Sequence, residues 1–392
     1  MPRPRVSIVC KSLPQYRVPF FERLRAALDH AEVQLDLIYG QAEPDEQRVI
    51  QTAHLWWGHR IENRHVRFGS RYLCWQPCLP LLRGADLIVA EQATKLLLNY
   101  VLLGRQALGG TPVALWGHGH DFQARDGWQA SEGVKRVLSR RPHWWFAYTA
   151  RSASIVQELP YPSERITVVQ NAVDTSELQR GMEQLRPEAV ASFRARAGIG
   201  GERVAIYVGG LYHEKRIAYL LEAARHLRHR LPDFELVILG SGPEGARVEQ
   251  AAREHPWIHY PGPVYGAEKL LYYRVAAVTL MPGVVGLGVL DSFALERPLV
   301  TVDLAGHGPE IDYLSDGENG LKLPAGTDPG GYAAAVAGLM SNAAWMERLR
   351  AGGRVAATVY TLDAMVARFT DGVLRALQRA DQTELSPVEV SA

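Results

Sequence analysis

The sequence predicts an α/β protein built as two Rossmann-like lobes, and three observations carry that reading. The chain has 392 residues, which exceeds one ordinary domain of ~100–200 residues and suits two. Short β-rich runs alternate with helical stretches through both halves, the pattern of parallel sheets covered by helices. Glycine clusters in the second half fall where a strand hands over to a helix. A composition of 47% hydrophobic and 22% charged residues excludes disordered, collagen-like and coiled-coil chains.

In the first half Val6–Cys10, Val33–Tyr39, Asp86–Ala90, Val113–Trp116 and Ile166–Val169 read as strands, each bounded by Gly, Pro or charge. Pro19–Leu28, Ala93–Leu108, Gly133–Arg140 and Ala150–Glu158 read as the helices between them. The second half gives strands Val204–Val208, Glu235–Leu239, Ile258–Tyr260, Val278–Met281 and Leu299–Val302. Its helices are Glu214–His229, Glu244–Glu254, Ala267–Arg274 and Leu287–Leu295. A hinge is expected near Asp174–Pro187, and a Gly- and Pro-rich passage at residues 324–331 precedes the last helices. The helix Asp363–Arg379 is expected to cross back onto the first lobe, with a loose tail after it. The domains are thus 1–180 plus about 362–392, and 181–361.

No run approaches the ~18 apolar residues of a membrane span, and the first hydrophobic stretch is too short for a signal peptide, so a cytoplasmic protein is expected. Three cysteines, Cys10, Cys74 and Cys78, are an odd count without zinc spacing and read as reduced packing residues. Charge is uneven. Residues 1–150 hold 19 Lys and Arg against 13 Asp and Glu, and the remainder reverses to 24 against 29. Arg60, Arg64, Arg67, Arg71 and Arg83 interleave with Trp56, Trp57, Phe68, Tyr72 and Trp75. A solvated face explains such a cluster, as does contact with anionic lipid or an acidic acceptor. A nucleic-acid partner is not expected, since the excess is small and no recognition module is present.

Gly240-Ser-Gly-Pro-Glu-Gly245 satisfies the letters of a dinucleotide fingerprint, but the next strand ends in Pro-Gly-Pro without the acid that would hold a ribose. It reads as a structural strand–turn–helix junction. Gly209-Gly210 followed by Leu211-Tyr-His-Glu-Lys215 offers backbone N–H groups and a cation to an anion such as a diphosphate, although an exposed Lys in a first helical turn is the commoner occurrence. Pro282-Gly-Val-Val-Gly-Leu-Gly-Val-Leu-Asp291 again puts glycines between strand and helix, with Asp291 placed to accept from sugar hydroxyls or only to complement the helix dipole. His118 and His120 follow a first-lobe strand, and two histidines without clustered acids are weak as a metal site. No Asp-x-Asp and no Gly-x-Ser-x-Gly occurs, so no metal cofactor and no serine nucleophile is expected.

Taken together these segments resemble the retaining, sugar-nucleotide-dependent glycosyltransferases of family four, which have the GT-B fold. Val168-Val-Gln-Asn-Ala-Val-Asp174 is similar to the family's "pNGVD" turn, Val208–Lys215 to "vGRLxxxKG", and Leu239–Glu244 to "vGdGPe". Pro282–Val300 resembles "PSxxEgfGlvvlEAmacGxPVv", and Gly308-Pro-Glu310 with Asn319-Gly320 resembles "pEiv…nGll". Pro14–Phe21 resembles the opening of a subset of bacterial surface-polysaccharide or glycoconjugate transferases.

The resemblance implies two lobes around a cleft and transfer of a sugar from a nucleotide diphosphate to an acceptor hydroxyl with retention, without metal. It implies catalytic roles for His118, Lys215 and Asp291 and donor contacts from Gly209, Gly210, Gly286, Leu287, Gly288, Val264 and Glu310. Lys11, Tyr16, Arg17 and His120 become acceptor-side candidates, for a carbohydrate, lipid-linked or small-molecule acceptor, with peripheral contact to the inner membrane face. Three positions depart from the pattern. The first acid of Glu-x7-Glu falls at Gly283, the phosphate-binding Arg at Gly210, and the first-lobe Gly-Gly at Lys11-Ser12. Two other activities fit the same architecture: a nucleotide-sugar epimerase, and a nucleotide-sugar-binding protein that has lost catalysis.

Overall fold

The computed structural model describes residues 2–42, 53–68, 71–119 and 141–384. Contacts divide the chain into one unit of Met1–Val173 with Leu362–Ala392 and a second of Asp174–Thr361. The division falls before residue 180 because helix Ser176–Glu183 packs on helices of the second unit.

The first unit has a parallel sheet of seven strands among the described residues. These are β1 (Arg5–Cys10), β2 (Gln34–Tyr39), β3 (His59–Arg60), β6 (Leu87–Glu91), β7 (Val113–Gly117), β8 (Trp144–Ala147) and β9 (Ile166–Val168), in the order β3-β2-β1-β6-β7-β8-β9. The central strands are near-continuous apolar runs, as a sheet covered on both faces requires: β7 and β8 are buried at every residue. β4 (Arg64–Phe68) and β5 (Arg71–Trp75) form a separate antiparallel hairpin.

Sequence reasoning missed β8 and the hairpin, for opposite reasons. Trp144-Trp-Phe-Ala147 is too short to show a period, whereas the alternation in Arg64-His-Val-Arg67 is mostly polar and reads as plain surface. The helix expected at Gly133–Arg140 lies outside the described residues.

Helix α1 (Val18–His30) opens with Pro19 in its first turn, where the missing N–H costs nothing, and turns Phe20, Phe21, Leu24 and Leu28 inward. Helix α2 (Leu97–Ala107) covers β5 and β7, and α3 (Ala150–Gln157) is capped by Thr149, which accepts from Ser152 N–H at 3.3 Å. The last helix, Leu362–Glu384, returns to this unit and packs on α1. Its Phe369 stacks on Phe146 at 4.2 Å and meets Phe20 and Trp116 edge-on at 5.5 and 5.2 Å. Arg17 and Met365 add a polar tie: Arg17 Nη2 donates to Asn171 Oδ1 at 2.6 Å, and Met365 Sδ accepts from Ala172 N–H at 3.2 Å.

The second unit holds a parallel sheet of β10 (Arg203–Val208), β11 (Phe234–Leu239), β12 (Ile258–Gly262), β13 (Val278–Leu280), β14 (Leu299–Val302) and β15 (Gly320–Leu323), ordered β12-β11-β10-β13-β14-β15. β15, Gly-Leu-Lys-Leu, carries too little hydrophobic pattern to be read from sequence. In chain order the helices are α4 (Ser176–Glu183), α5 (Pro187–Ala197), α6 (Ile217–Arg230), α7 (Gly245–Glu254), α8 (Gly266–Val275), α9 (Gly288–Ala294), α10 (Pro329–Met340) and α11 (Ala343–Val359), which makes the last helix α12. The expected helix start at Glu214 is corrected. His213–Lys215 form a 3-10 turn and Arg216 adopts the left-handed conformation at φ 54°, so α6 begins at Ile217.

Strand order reverses at β10/β13, and open α/β sheets bind ligands beyond the carboxyl ends of strands at such a point. Truncating the aromatic anchor of α12, Phe369→Ala, is expected to destabilise the first unit by about 3–5 kcal/mol, the cost of a large buried cavity. Urea unfolding followed by Trp fluorescence measures it.

Candidate functional site

Three loops meet beyond the carboxyl ends of β10, β11 and β13, and their main chains touch directly. A Cβ on Gly240 would overlap the Gly209 carbonyl oxygen, and one on Gly242 would come within 2.6 Å of the Leu211 carbonyl oxygen. The glycines of the dinucleotide-like segment are therefore explained by backbone packing alone. Leu211 N–H donates to Ser241 O at 2.9 Å, joining the first two loops.

The third loop, residues 281–287, is tied to the turn before α6. Val284 N–H donates to Glu214 O at 2.9 Å, and Lys215 Nζ donates to Val284 O at 2.6 Å. Arg216, stacked on Tyr219, reaches Pro282 O at 3.5 Å. Gly283 lies against this turn, where a Cβ would stand within 2.5 Å of the Glu214 carbonyl oxygen. The position that aligns with the family's first acid thus has no room for a side chain. At Gly210 a Cβ would meet the Tyr212 ring, a side chain that can turn aside, unlike the main chain that faces Gly283.

Beyond Val285 the loop changes character. Val285 N–H and C=O are both used within the protein, but Gly286, Leu287 and Gly288 N–H donate to no acceptor among the described residues. Lys215 is largely buried beside this loop, and burial holds its ammonium below the usual lysine range, with Glu214 only partly offsetting that. No carboxylate forms an ion pair with Lys215 among the described residues. A part-buried cation next to three open N–H donors is a site short of negative charge.

Asp291, on the first turn of α9, is paired with Lys269 of α8 at 2.8 Å, both side chains less than one-fifth exposed. Sequence reasoning names Asp291 as a candidate but not its partner Lys269, which carries no motif. It also missed His307. The Glu310 carboxylate packs against Gly308 and Gly286, so Gly286–Gly288, Lys215 and Glu310 are brought to one loop. Val264 instead packs into the apolar cluster with Phe193, Leu270 and Tyr273.

In the first unit the candidate residues stand at the carboxyl edge of its sheet. Lys11 N–H donates to Glu91 Oε2 at 2.6 Å, bridging the ends of β1 and β6, and burial pushes the Glu91 carboxyl up. His118 follows β7 and meets Tyr148 edge-on at 4.5 Å. Tyr16 is half-exposed, whereas Arg17 is buried over Tyr16 and Trp116 and holds Asn171, an internal structural link. His120 lies outside the described residues. No described helix is long and apolar enough to cross a membrane.

Residues 202–342 match the family model of Glycosyl transferases group 1. The chain is 30% identical to the D-inositol 3-phosphate glycosyltransferase of Frankia alni over 58% of this chain and 55% of that protein. It is 26% identical to the glycogen synthase of Mycobacterium tuberculosis over 70% of this chain and 63% of that protein. It thus spans between half and two-thirds of the length of these relatives. Among solved structures, HepE of Anabaena in complex with UDP superposes with a TM-score of 0.68 at 13% identity, covering 95% of this chain and 99% of that one. The sucrose-phosphate synthase of Thermosynechococcus elongatus gives 0.68 at 16%, covering 96% and 100%. The fold is the GT-B fold of glycosyltransferases.

Gly283→Ala is expected to lower the melting temperature by several degrees, because the added methyl must displace the Glu214–Lys215 main chain. Differential scanning calorimetry checks this, with Gly104→Ala as a control, since a Cβ there meets nothing within 4 Å and the backbone is not left-handed.

Proposed function

We propose that this chain is a glycosyltransferase that moves a sugar from a nucleotide diphosphate to an acceptor hydroxyl with retention of configuration and without a metal ion. One observation carries the reading: the largely buried Lys215 ammonium sits beside three open N–H donors, Gly286–Gly288, at the sheet's switch point. A leaving diphosphate gains negative charge as its bond to the sugar breaks, and fixed donors with a cation at that spot stabilise it. They supply the positive charge that a divalent ion would otherwise bring.

In the reaction the bond from the sugar's anomeric carbon to phosphate oxygen breaks, the acceptor oxygen bonds that carbon from the same face, and the acceptor's proton passes to the departing phosphate. No protein nucleophile is needed. Asp291, held by Lys269, accepts from the ribose hydroxyls, and Glu310 contacts the donor from the far side of the loop. The second unit takes the donor, and Lys11, Tyr16 and His118 of the first unit face the acceptor. The match of residues 202–342 to a glycosyl transferase family supports this over an epimerase or a binding protein without turnover.

Peripheral membrane contact at the cytoplasmic face belongs to the same proposal, for an acceptor that is lipid-linked. On the β4–β5 hairpin Arg64, Val66 and Arg67 are exposed, and in the same unit Trp56 is 80% exposed under the Arg25 guanidinium. Cations beside exposed apolar groups suit an anionic bilayer surface.

A thermal-shift screen of nucleoside diphosphates and their sugars in EDTA tests the donor site. A ligand at 100 times its Kd is expected to stabilise the second unit by about 2.7 kcal/mol. No shift by any of them overturns the assignment. Lys215→Ala is expected to lower kcat by about 10²–10³-fold, whereas Asp291→Asn mainly raises donor KM, since ribose is unchanged during transfer. Replacing Arg64, Arg67 and Arg71 by Gln is expected to weaken sedimentation with phosphatidylglycerol vesicles in a salt-dependent way. Unchanged sedimentation returns the cluster to a solvated surface.

A further inference from the structure

His307 stands behind the open donors and touches none of them. It is 4% exposed, and both its ring nitrogens are engaged: Nδ1 accepts from Val285 N–H at 3.0 Å, and Nε2 bonds Val302 O at 2.8 Å. Val302 ends β14 and Val285 lies in the loop after β13, so the ring stitches the loop to the next strand. Because a main-chain N–H can only donate and a carbonyl can only accept, the two partners fix one state, neutral with the proton on Nε2. Gly308 N–H donates to Val285 O at 2.8 Å and completes the clasp. Val285 is therefore held on both its polar groups, and the free N–H groups begin with the next residue.

We propose that His307 is the positioning residue of this loop, and that its neutral form is what presents Gly286, Leu287 and Gly288 N–H to the donor's diphosphate. The inference rests on reading the loop as the phosphate cradle. A proton added at Nδ1 would set two donors against each other at 3.0 Å inside the protein. The clasp then opens, Val285 N–H is left without an acceptor, and the adjoining donors lose their fixed positions.

The groups facing the ring set how readily this happens. Burial is the largest influence and lowers the His307 pKa, the bond to Val302 and the charge of Asp303 raise it, and Lys322 and Lys215 lower it. Glu310, three residues on, adds a carboxylate against Gly308. With the folded value below the ordinary 6.5, the unfolded chain takes up a proton first as pH falls. The stability contributed by neutral His307 is therefore complete above the ordinary 6.5 and is lost progressively as pH falls from there through the lower folded value. His143 in the first unit is also lowered, chiefly by burial, so global melting alone does not separate the two.

Two measurements on the full-length protein test the inference. The first is hydrogen exchange of the peptide spanning residues 282–290, corrected for intrinsic rate, at about pH 7.5 and about pH 5.5. Protection is expected to fall in the parent and to stay level in His307→Asn, whose Oδ1 accepts from Val285 N–H and does not titrate. The second is equilibrium binding of UDP-glucose, GDP-mannose and ADP-glucose at the same two values. The tightest of them is expected to lose about tenfold affinity on acidification in the parent and less than about twofold in the variant. Equal protection of the parent loop at both pH values overturns the role of His307, as does the same acid loss in His307→Asn. Absence of binding by all three sugars at pH 7.5 overturns the donor-site reading instead, while the exchange result still decides the clasp. Should His307→Asn not fold, the parent's exchange at the two pH values decides alone.

Discussion

A part-buried ammonium that donates to a main-chain carbonyl holds the second unit's site together. Lys215 Nζ on Val284 O and Glu214 O on Val284 N–H clamp the loop after β13 to the turn after β10. This junction spans the point where strand order reverses. Every other feature of the site follows from the closeness it enforces. Gly283 has no room for a side chain, Arg216 after Lys215 lies in the left-handed region, and the N–H groups of Gly286, Leu287 and Gly288 are left open among the described residues. A left-handed Arg costs on the order of 1–2 kcal/mol relative to a helical one, so the surrounding packing must over-determine that turn.

Charge gives the junction its chemical sense. Desolvating a cation is costly, and among the described residues Lys215 has a carbonyl and the charge of the adjacent Glu214 to offset part of that cost. An anion bound there would remove the penalty and satisfy the open donors together. The neighbouring charges are arranged differently. Asp291 is already neutralised by Lys269, so a ligand at that end meets a polar but nearly uncharged surface suited to hydroxyls. Charge on these side chains therefore grades from positive at Lys215 to nearly neutral at the Asp291–Lys269 pair.

The first unit is held by a different device. Its last helix arrives from the far end of the sequence and supplies Phe369 to a cluster of Phe20, Trp116 and Phe146, while Arg17 and Asn171 form the polar tie beside it. Arg17 illustrates how a motif residue can be misjudged from sequence. A cation in a loop after the first strand suggests ligand binding, yet its guanidinium lies over Tyr16 and Trp116 inside the unit. Its burial depends on aromatic groups far apart in the chain.

The sequence by itself determined the α/β class, most strands and helices and the glycine-rich junctions, and it singled out Lys215, Asp291 and Glu310 as candidates. These are written in local pattern: hydrophobic runs of strand length, glycines after them, and motif spacing. Tertiary structure alone decided the residues that act through space. Lys269 and His307 have no motif, and each acquires its role from a partner on another element, Asp291 for one and Val285 with Val302 for the other. It also decided what the departures mean. Gly283 looks like a lost functional group in sequence, but the space for a side chain there is already taken by the Glu214–Lys215 main chain, whereas Gly210 is faced only by the Tyr212 ring. Local pattern encodes where the backbone turns and which faces are apolar, whereas excluded volume and hydrogen-bond partnership exist only once distant segments are in contact.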